Sequence, residues 1–167
     1  ATFAPDWAGL VGGVGRGLVI AAACLFLFAT LSASRPHLER WTKGAFVAGA
    51  AALIGVFASL GTLFLQDQFQ FAYVFNHSDS RNPTPYKIAA IWTAQEGSFL
   101  LWGVASAIFG AWAILRAGVF ARPAAGVMGI ILAGICAILH FGSPFTLLKD
   151  VVHDGRVLIP PNGAGMT

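Results

Sequence analysis

The residues best suited to chemistry lie in the stretch KIAAIWTAQEGSFLLW, residues 87–102. This stretch places an acid, Glu96, and an amide, Gln95, between Trp92 and Trp102. A carboxylate beside apolar sequence either takes part in a polar site or hydrogen-bonds backbone groups at a helix end. The residue types leave both interpretations open, so Glu96 is a candidate site residue and also a candidate structural group.

The histidines are the other candidates, and one of the four lies inside an apolar run. That residue, His140, is a possible axial haem ligand, although a lone histidine in a membrane helix more often hydrogen-bonds a neighbouring helix. His77 follows Asn76 in a polar segment, where a role in a turn is the simpler account. No nucleophile–base pair, phosphate loop or metal-spaced cluster is recognisable, so the sequence identifies no catalytic residue and no metal ligand.

The elements that hold these residues are dominated by apolar side chains. Hydrophobic residues make up 57% of the 167, charged residues 10%, and the mean hydropathy is +0.74. Because a soluble domain carries about 25% charged residues, this composition indicates a protein whose surroundings are a lipid bilayer. The ten basic residues form no run or cluster, which argues against a nucleic-acid partner.

Four windows are long and apolar enough to cross a membrane, which takes about 20 residues. We therefore predict an all-α polytopic membrane protein with four transmembrane helices in a single module of residues 1–167. The predicted spans are about residues 10–33, 44–65, 98–115 and 124–145, with an outer loop at 66–97 and an outer tail at 146–167. The tail stops without a helix end, so we expect the chain to be cut within a loop and to be a portion of a larger protein.

Lys and Arg in the short loops predict the orientation. The loop after the first window holds Arg35, Arg40 and Lys43 against one acid, and the loop after the third holds Arg116 and Arg122 with none. The positive-inside rule assigns both loops to the cytoplasm. The N-terminus, the 66–97 loop and the C-terminal tail are then extracytoplasmic.

Aromatic residues alternate along FQFAYVF, residues 69–75. This alternation suits a short strand, but an aromatic belt at the membrane surface explains it as well, and we favour the belt. From Tyr86 onward, apolar residues recur at spacings of three and four, which predicts a short interfacial helix that runs to Gly97. Such a helix would put Glu96 at the membrane boundary, where a carboxylate costs much less than at the bilayer centre.

The first window carries a stripe of small residues, Gly9, Gly13 and Gly17. Such stripes let membrane helices approach closely, so we expect packing within the bundle or against helices that are not in this chain. Arg16 lies just inside the same window, where it can snorkel to the surface or find a partner.

The polar segment between the second and third windows resembles the CcmF/NrfE family, the large haem lyase subunit of cytochrome c maturation. That family carries a Tyr-Val-x-x-(Asn/His)-Ser segment and a Trp-Gly-x-(His/Gln)-Glu-Gly-Ser-Leu-Leu-Leu-Trp block. The matching positions are Tyr73, Asn76 and His77, and then Trp92, Gln95, Glu96, Gly97, Ser98 and Trp102. Family segments Ser-Asn-Pro-Phe and Asp/Glu-Gly-Arg are matched at 142–145 and 154–156. The departures are Thr93, where the family has Gly, and Phe99, where it has Leu.

The resemblance implies that the chain is the N-terminal module of a haem lyase subunit, which supports haem transfer and covalent attachment to apocytochrome c on the outer face of the bacterial inner membrane. It implies haem b in the complete protein, not ligated by this chain, with His140 and His77 only as minor candidate contacts. The implied partners are the remainder of the haem lyase protein, a haem chaperone, apocytochrome c and its thiol-handling protein. We expect the motif residues to shape the outer surface where haem and cytochrome meet. The alternatives are a structural subunit of a respiratory complex and a transporter subunit with Glu96 and Arg16 on a solute path.

Overall fold

Four long helices dominate the computed structural model, which describes residues 2–164. The helices are α1 (Asp6–Ser32), α2 (Glu39–Leu65), α3 (Ala72–His77), α4 (Thr84–Ala90), α5 (Gln95–Arg116) and α6 (Ala121–Phe141). Single 3-10 turns, Pro36–Leu38 and Gly118–Phe120, precede α2 and α6. Since α1, α2, α5 and α6 are each long and apolar enough to cross a bilayer, the prediction of an all-α polytopic membrane protein with four spans is confirmed.

The bundle packs through glycines that admit aromatic rings. Helix α1 lies against α2 and α6, and α5 lies against the same two helices. Phe26 of α1 and Phe46 of α2 meet edge to face with ring centroids 5.2 Å apart. A Cβ on Gly49 would lie 2.8 Å from the Phe26 ring, so only glycine leaves room for this contact. The rings therefore fill a core that aliphatic residues of α5 and α6 complete.

The boundaries of two helices differ from the predicted windows. Helix α5 begins at Gln95, so the polar residues 95–97 form the first turn of a spanning helix. The short helix predicted in the outer loop is confirmed as α4, but its predicted end at Gly97 is wrong: α4 ends at Ala90, and residues 91–94 form a turn. Helix α6 ends at Phe141, because the chain turns at Gly142 into the Ser-Pro-Phe segment.

The two chain ends form a small sheet that the all-helical prediction did not include. Its strands are β1 (Thr2–Phe3), β2 (Val152–His153) and β3 (Arg156–Ile159), and β3 pairs antiparallel with both others. Asp154 and Gly155 join β2 to β3, with φ of +48° and +77°. Two consecutive positive φ values are those of a type I′ hairpin turn, for which Asp-Gly is a preferred pair.

The segment between α2 and α4 folds inward over the end of the bundle. Phe69, Phe71 and Tyr73 are 1%, 3% and 5% exposed, so the predicted aromatic belt is wrong at these positions. The strand alternative fails as well, because α3 begins at Ala72 and only an isolated bridge joins Phe71 to Leu147. The rings are buried because the segment has small residues of α1 to pack against: a Cβ on Gly12 would lie 2.8 Å from the Phe71 ring.

The glycine stripe of α1 faces away from the rest of the bundle. A Cβ on Gly9, Gly13 or Gly17 would have no heavy atom of the described residues within 4 Å. Helix α1 packs instead through a neighbouring face that includes Gly12 and Gly15. Of the two expectations for the stripe, packing inside this bundle is therefore wrong.

Candidate functional site

Tyr73 connects three elements at the end of the bundle where α2 ends and α5 begins. Its hydroxyl donates a hydrogen bond to the Ile91 carbonyl at 2.9 Å and accepts one from the Gly97 N–H at 3.1 Å. Its ring packs edge to face on Phe64 of α2, with centroids 5.6 Å apart. We call this set, Tyr73, Ile91 and Gly97, the junction. It ties α3 to the α4–α5 turn and to the start of α5.

Gly97 is required at the junction because nothing larger fits there. A Cβ at this position would overlap both the Ile91 carbonyl and the Tyr73 hydroxyl. The carbonyl belongs to the backbone, so it cannot swing aside as the end of a flexible side chain can. The Glu-Gly-Ser order of the sequence motif thus has a steric reason at its central residue.

Two hydroxyl groups close the turn that separates α4 from α5. Thr93 donates to the Ala90 carbonyl at 2.9 Å, and Ser98 donates to the Trp92 carbonyl at 2.9 Å. These bonds satisfy carbonyl groups where the helical pattern is interrupted. Thr93, a departure from the family pattern, is accommodated here through its hydroxyl.

The phenol of Tyr73 is protonated across the physiological pH range. Burial raises the pKa of Tyr73 to about 12 from 10.0, and the Glu96 carboxylate adds to the rise, while backbone hydrogen bonds oppose it. The hydroxyl therefore keeps the proton that it donates to Ile91. Its role at the junction is that of a fixed hydrogen-bonding group.

His77 packs against Tyr73 through a hydrogen bond to the Tyr73 backbone and a contact between the two rings. Its Nδ1 lies 2.8 Å from the Tyr73 carbonyl, and the two rings are 4.6 Å apart with an interplanar angle of 35°. Since a carbonyl only accepts, Nδ1 carries the proton in this bond. The neighbouring Asn76 is exposed. The structure thus supports a local role for His77 within and beside the short helix α3.

An ion pair that sequence reasoning missed anchors α4. Lys87 is 9% exposed, and its Nζ lies 2.6 and 2.7 Å from the two carboxylate oxygens of Asp67. Asp67 follows α2 with a φ of +50°, a conformation that Asp and Asn adopt more readily than most residues. Twenty residues separate the partners, and neither spacing nor periodicity signals such a pair.

The remaining motif residues lie at or near the surface. Glu96 is in the first turn of α5, where the positive end of the helix dipole favours a carboxylate. Among the described residues, its carboxylate makes no hydrogen bond and no ion pair. Gln95 is exposed, and Trp92 and Trp102 are 37% and 70% exposed. The structure therefore gathers Tyr73, His77 and Gly97 together and leaves the polar and indole groups facing outward.

The last described residues pack onto the end of α3. The Ala164 N–H donates to the Phe75 carbonyl at 2.7 Å, and the side-chain oxygen Oδ1 of Asn162 accepts from the Ser80 N–H and hydroxyl. A Cβ on Gly163 would overlap the Ser78 carbonyl. The tail thereby covers the end of the motif segment that begins at Tyr73.

His140 lies apart from the junction. It is exposed near the end of α6 and borders a cavity of about 150 Å³. Small-molecule sites occupy about 300–1,000 Å³, so this cavity is too small for a porphyrin. Within residues 2–164 there is no group of three or more His, Cys, Asp or Glu placed to hold a metal ion.

Curated proteins similar to this chain share one description. The cytochrome c-type biogenesis protein CcmF of Pseudomonas aeruginosa is 36% identical over 140 residues, which are 78% of this chain and 20% of that protein. The cytochrome c-type biogenesis protein ccl1 of Rhodobacter capsulatus is 30% identical over 161 residues, 87% of this chain and 24% of that protein. The chain thus spans about a fifth to a quarter of the length of these relatives. No family model matches the chain.

A solved structure shares the fold. The structure of a cytochrome c haem lyase CcmF superposes with a TM-score of 0.71 at 24% identity, covering 90% of this chain and 26% of the other. At this identity, the likeness concerns the fold alone. The solved structure therefore has an arrangement of helices like the one described above.

Proposed function

Because the chain is homologous to the CcmF/NrfE proteins of cytochrome c-type biogenesis over most of its length, we propose that it is a module of a haem lyase. The module supports haem transfer and covalent attachment to apocytochrome c at the membrane surface where α5 begins. The observation that carries the proposal is the junction, where Tyr73 and Gly97 of two separate family motifs meet. The motifs therefore build one local structure.

The haem of the complete assembly is bound elsewhere in this proposal. The cavity beside His140 does not accommodate a porphyrin, and His77 lines neither that cavity nor the one of about 650 Å³ beside α1. We therefore assign no step of haem chemistry to the described residues. The haem, of type b, and its ligands belong to the remainder of the haem lyase protein.

The contribution of this chain is a shaped surface. The junction fixes the start of α5, and this start presents Glu96 and Gln95 between the exposed rings of Trp92 and Trp102. Exposed indole rings beside an unpaired carboxylate suit contact with another protein, since aromatic residues are enriched in such interfaces. The proposed partners at this surface are the remainder of the haem lyase, the haem chaperone, and apocytochrome c with its thiol-handling protein.

The function is tested by deleting the gene in its host and measuring covalently attached haem in membrane c-type cytochromes. The proposal expects loss of these cytochromes and recovery when the chain is supplied again. The assembly purified with its co-purifying chains should show a Soret band that the chain purified alone lacks. Normal c-type cytochromes in the deletion strain would refute the function and favour a structural role in another complex.

The part played by Glu96 is tested separately with Glu96→Gln. Because this carboxylate makes no bond within the described chain, the variant should fold normally and reach normal protein levels. If the carboxylate contacts a partner through a charged hydrogen bond, haem attachment should fall about tenfold. The matched control is Asp150→Asn, which makes the same change at an exposed carboxylate outside this surface and for which no such loss is expected. Intact haem attachment with Glu96→Gln would refute a direct role for the carboxylate. The proposal of a haem lyase module would not be affected by this result.

A further inference from the structure

We propose that the beginning of α1 holds an anionic phospholipid, in a cavity separate from the junction. The cavity has a volume of about 650 Å³, which lies within the about 300–1,000 Å³ of small-molecule sites. The first turns of α1 form one side of it. The segment around Phe71, the loop after α6 and the hairpin turn at Gly155 form the others.

The walls of the cavity are apolar, with cationic groups among them. Phe71, Phe145 and Leu147 supply apolar surface, while Arg16 and Arg156 supply two positive charges against the single carboxylate of Asp6. The excess of positive charge favours an anionic occupant. Planar guanidinium groups match the geometry of phosphate oxygens, with which they form paired hydrogen bonds.

Both arginines have donors available for such a group. Arg16 donates from one nitrogen to the Phe145 carbonyl at 3.1 Å, and a guanidinium has five N–H donors in all. The Arg156 guanidinium lies over the Phe3 ring, 5.3 Å from its centroid. These contacts hold the two side chains at the cavity without using up their hydrogen-bonding capacity.

A buried amide in the cavity wall also has an unused acceptor. Gln70 is 1% exposed and lines the cavity. Its Nε2 donates to Gln68 at 3.0 Å, whereas its Oε1 has no hydrogen-bond partner among the described residues. An unsatisfied buried acceptor costs free energy. A donor on the occupant, such as a headgroup hydroxyl, would satisfy this oxygen after a small adjustment of the side chain.

A groove without side chains leads from the cavity down α1. Gly9 and Gly13 line the cavity, and Gly17 continues the same stripe, where a Cβ would meet nothing within 4 Å. Eight residues of helix span about 12 Å, most of the roughly 15 Å depth of one leaflet's hydrocarbon. The groove therefore has the position and length to receive an acyl chain whose phosphate lies between the arginines.

A lipid explains these features better than a packed helix does. A helix from another chain would cover the glycine stripe, but its apolar surface would bring no anion to Arg16 and Arg156. A phospholipid brings an apolar tail and a phosphate in one molecule, at the depth where the membrane supplies it. The phosphate then lies in the cavity between the arginines, and the acyl chain lies in the glycine groove.

The test measures which lipids stay with the protein. The assembly, purified together with its co-purifying chains, is exchanged into nanodiscs with equal amounts of phosphatidylglycerol and phosphatidylcholine, and retained lipid is counted by native mass spectrometry. We expect phosphatidylglycerol to be retained preferentially. Arg156→Gln removes charged hydrogen bonds and should lower that retention about tenfold.

Gly13→Leu should fill the groove and abolish retention. A Cβ at this position would have no heavy atom of the described chain within 4 Å, so we expect the protein still to fold. Gly134→Leu is the matched control, because Gly134 is also exposed on a spanning helix with nothing within 4 Å of its Cβ position. Equal retention in these two variants, or no preference between the two lipids, would overturn the proposal. So would release of a co-purifying chain by Gly13→Leu in an assembly that retains no lipid, since the stripe would then pack against a protein helix.

Discussion

Gly97 and Tyr73 show how much of the motif's meaning lies in distances that the sequence does not state. A glycine between Glu96 and Ser98 looks like a permissive helix residue from the sequence. In the structure, the Ile91 backbone and the Tyr73 hydroxyl approach Gly97 so closely that the methyl group of an alanine would not fit. The resemblance could identify both positions, but not the hydrogen bond between them, because twenty-four residues separate them.

Replacing Gly97 with alanine should destabilise the protein although alanine is the better helix former. Overpacking of this kind typically costs about 1–3 kcal/mol. The loss should appear as a lower unfolding temperature of the purified protein in detergent. Gly134→Ala, in an exposed and open position, is the control and should be neutral or slightly stabilising. Equal unfolding temperatures for both variants would contradict the close approach at the junction.

The raised pKa of Tyr73 predicts a loss of stability at alkaline pH. The native pKa is about 12 and the ordinary value 10.0, so the unfolded chain releases its proton first. The contribution of protonated Tyr73 to the stability of the fold is fully present below pH 10 and is lost as the pH rises through 12. Unfolding temperatures should fall in that window, together with a late rise in tyrosinate absorbance. Tyr73→Phe should lack both changes and should be less stable at neutral pH by about 1–3 kcal/mol, because Ile91 and Gly97 lose a partner.

At the scale of elements, the long helices and the presence of a short helix near Tyr86 could be predicted from the sequence, whereas α3 and the end of α4 could not. Apolar windows marked α1, α2, α5 and α6 because nearly every side chain in them suits lipid or the bundle core. Helix α3 has six residues, which is too short for periodicity to distinguish helix from strand. The apolar spacing that predicts α4 continues past the end of this helix at Ala90. The hairpin has a signal as well, because Asp154-Gly155 lies between two short apolar runs, but the prediction for these residues is only an outer tail.

The ion pair between α4 and the end of α2 should stabilise the connecting segment. Lys87→Met keeps the aliphatic stem and leaves Asp67 without its cation, which should cost about 1–2 kcal/mol for a partly exposed pair. Limited proteolysis between α2 and α5 should become faster. Asp67→Asn, which suits the positive φ at this position, should recover part of the loss in the double variant. The exposed Lys149 provides the control Lys149→Met, and an equal rate for both lysine variants would show that the pair contributes nothing.

At the scale of the whole molecule, the number of spans follows from composition, whereas the orientation depends on a few charges. Both ends of the chain meet in one sheet, and an isolated bridge from Phe71 to Leu147 joins the 66–94 segment to the residues that lead into this sheet. These parts must therefore lie on the same side of the membrane, as an even number of spans requires. The basic loops at Arg35 and Arg122 lie at the other end. The positive-inside prediction requires this separation of the basic loops from the chain ends. The fold itself is the same in either orientation across the membrane.

The orientation is measured by labelling single cysteines in intact cells with a membrane-impermeant maleimide. Ser34→Cys lies in the exposed turn between α1 and α2, and Lys149→Cys lies in the exposed segment after α6. Extracytoplasmic chain ends predict that the cysteine at position 149 is labelled in intact cells and the one at position 34 only after permeabilisation. The unsubstituted chain is the blank, since Cys24 and Cys136 lie within spanning helices. The reverse pattern would invert the molecule and place the start of α5 in the cytoplasm. Glu96 and the two indole rings would then be unable to meet an apocytochrome outside, so the haem lyase proposal would fail with the orientation.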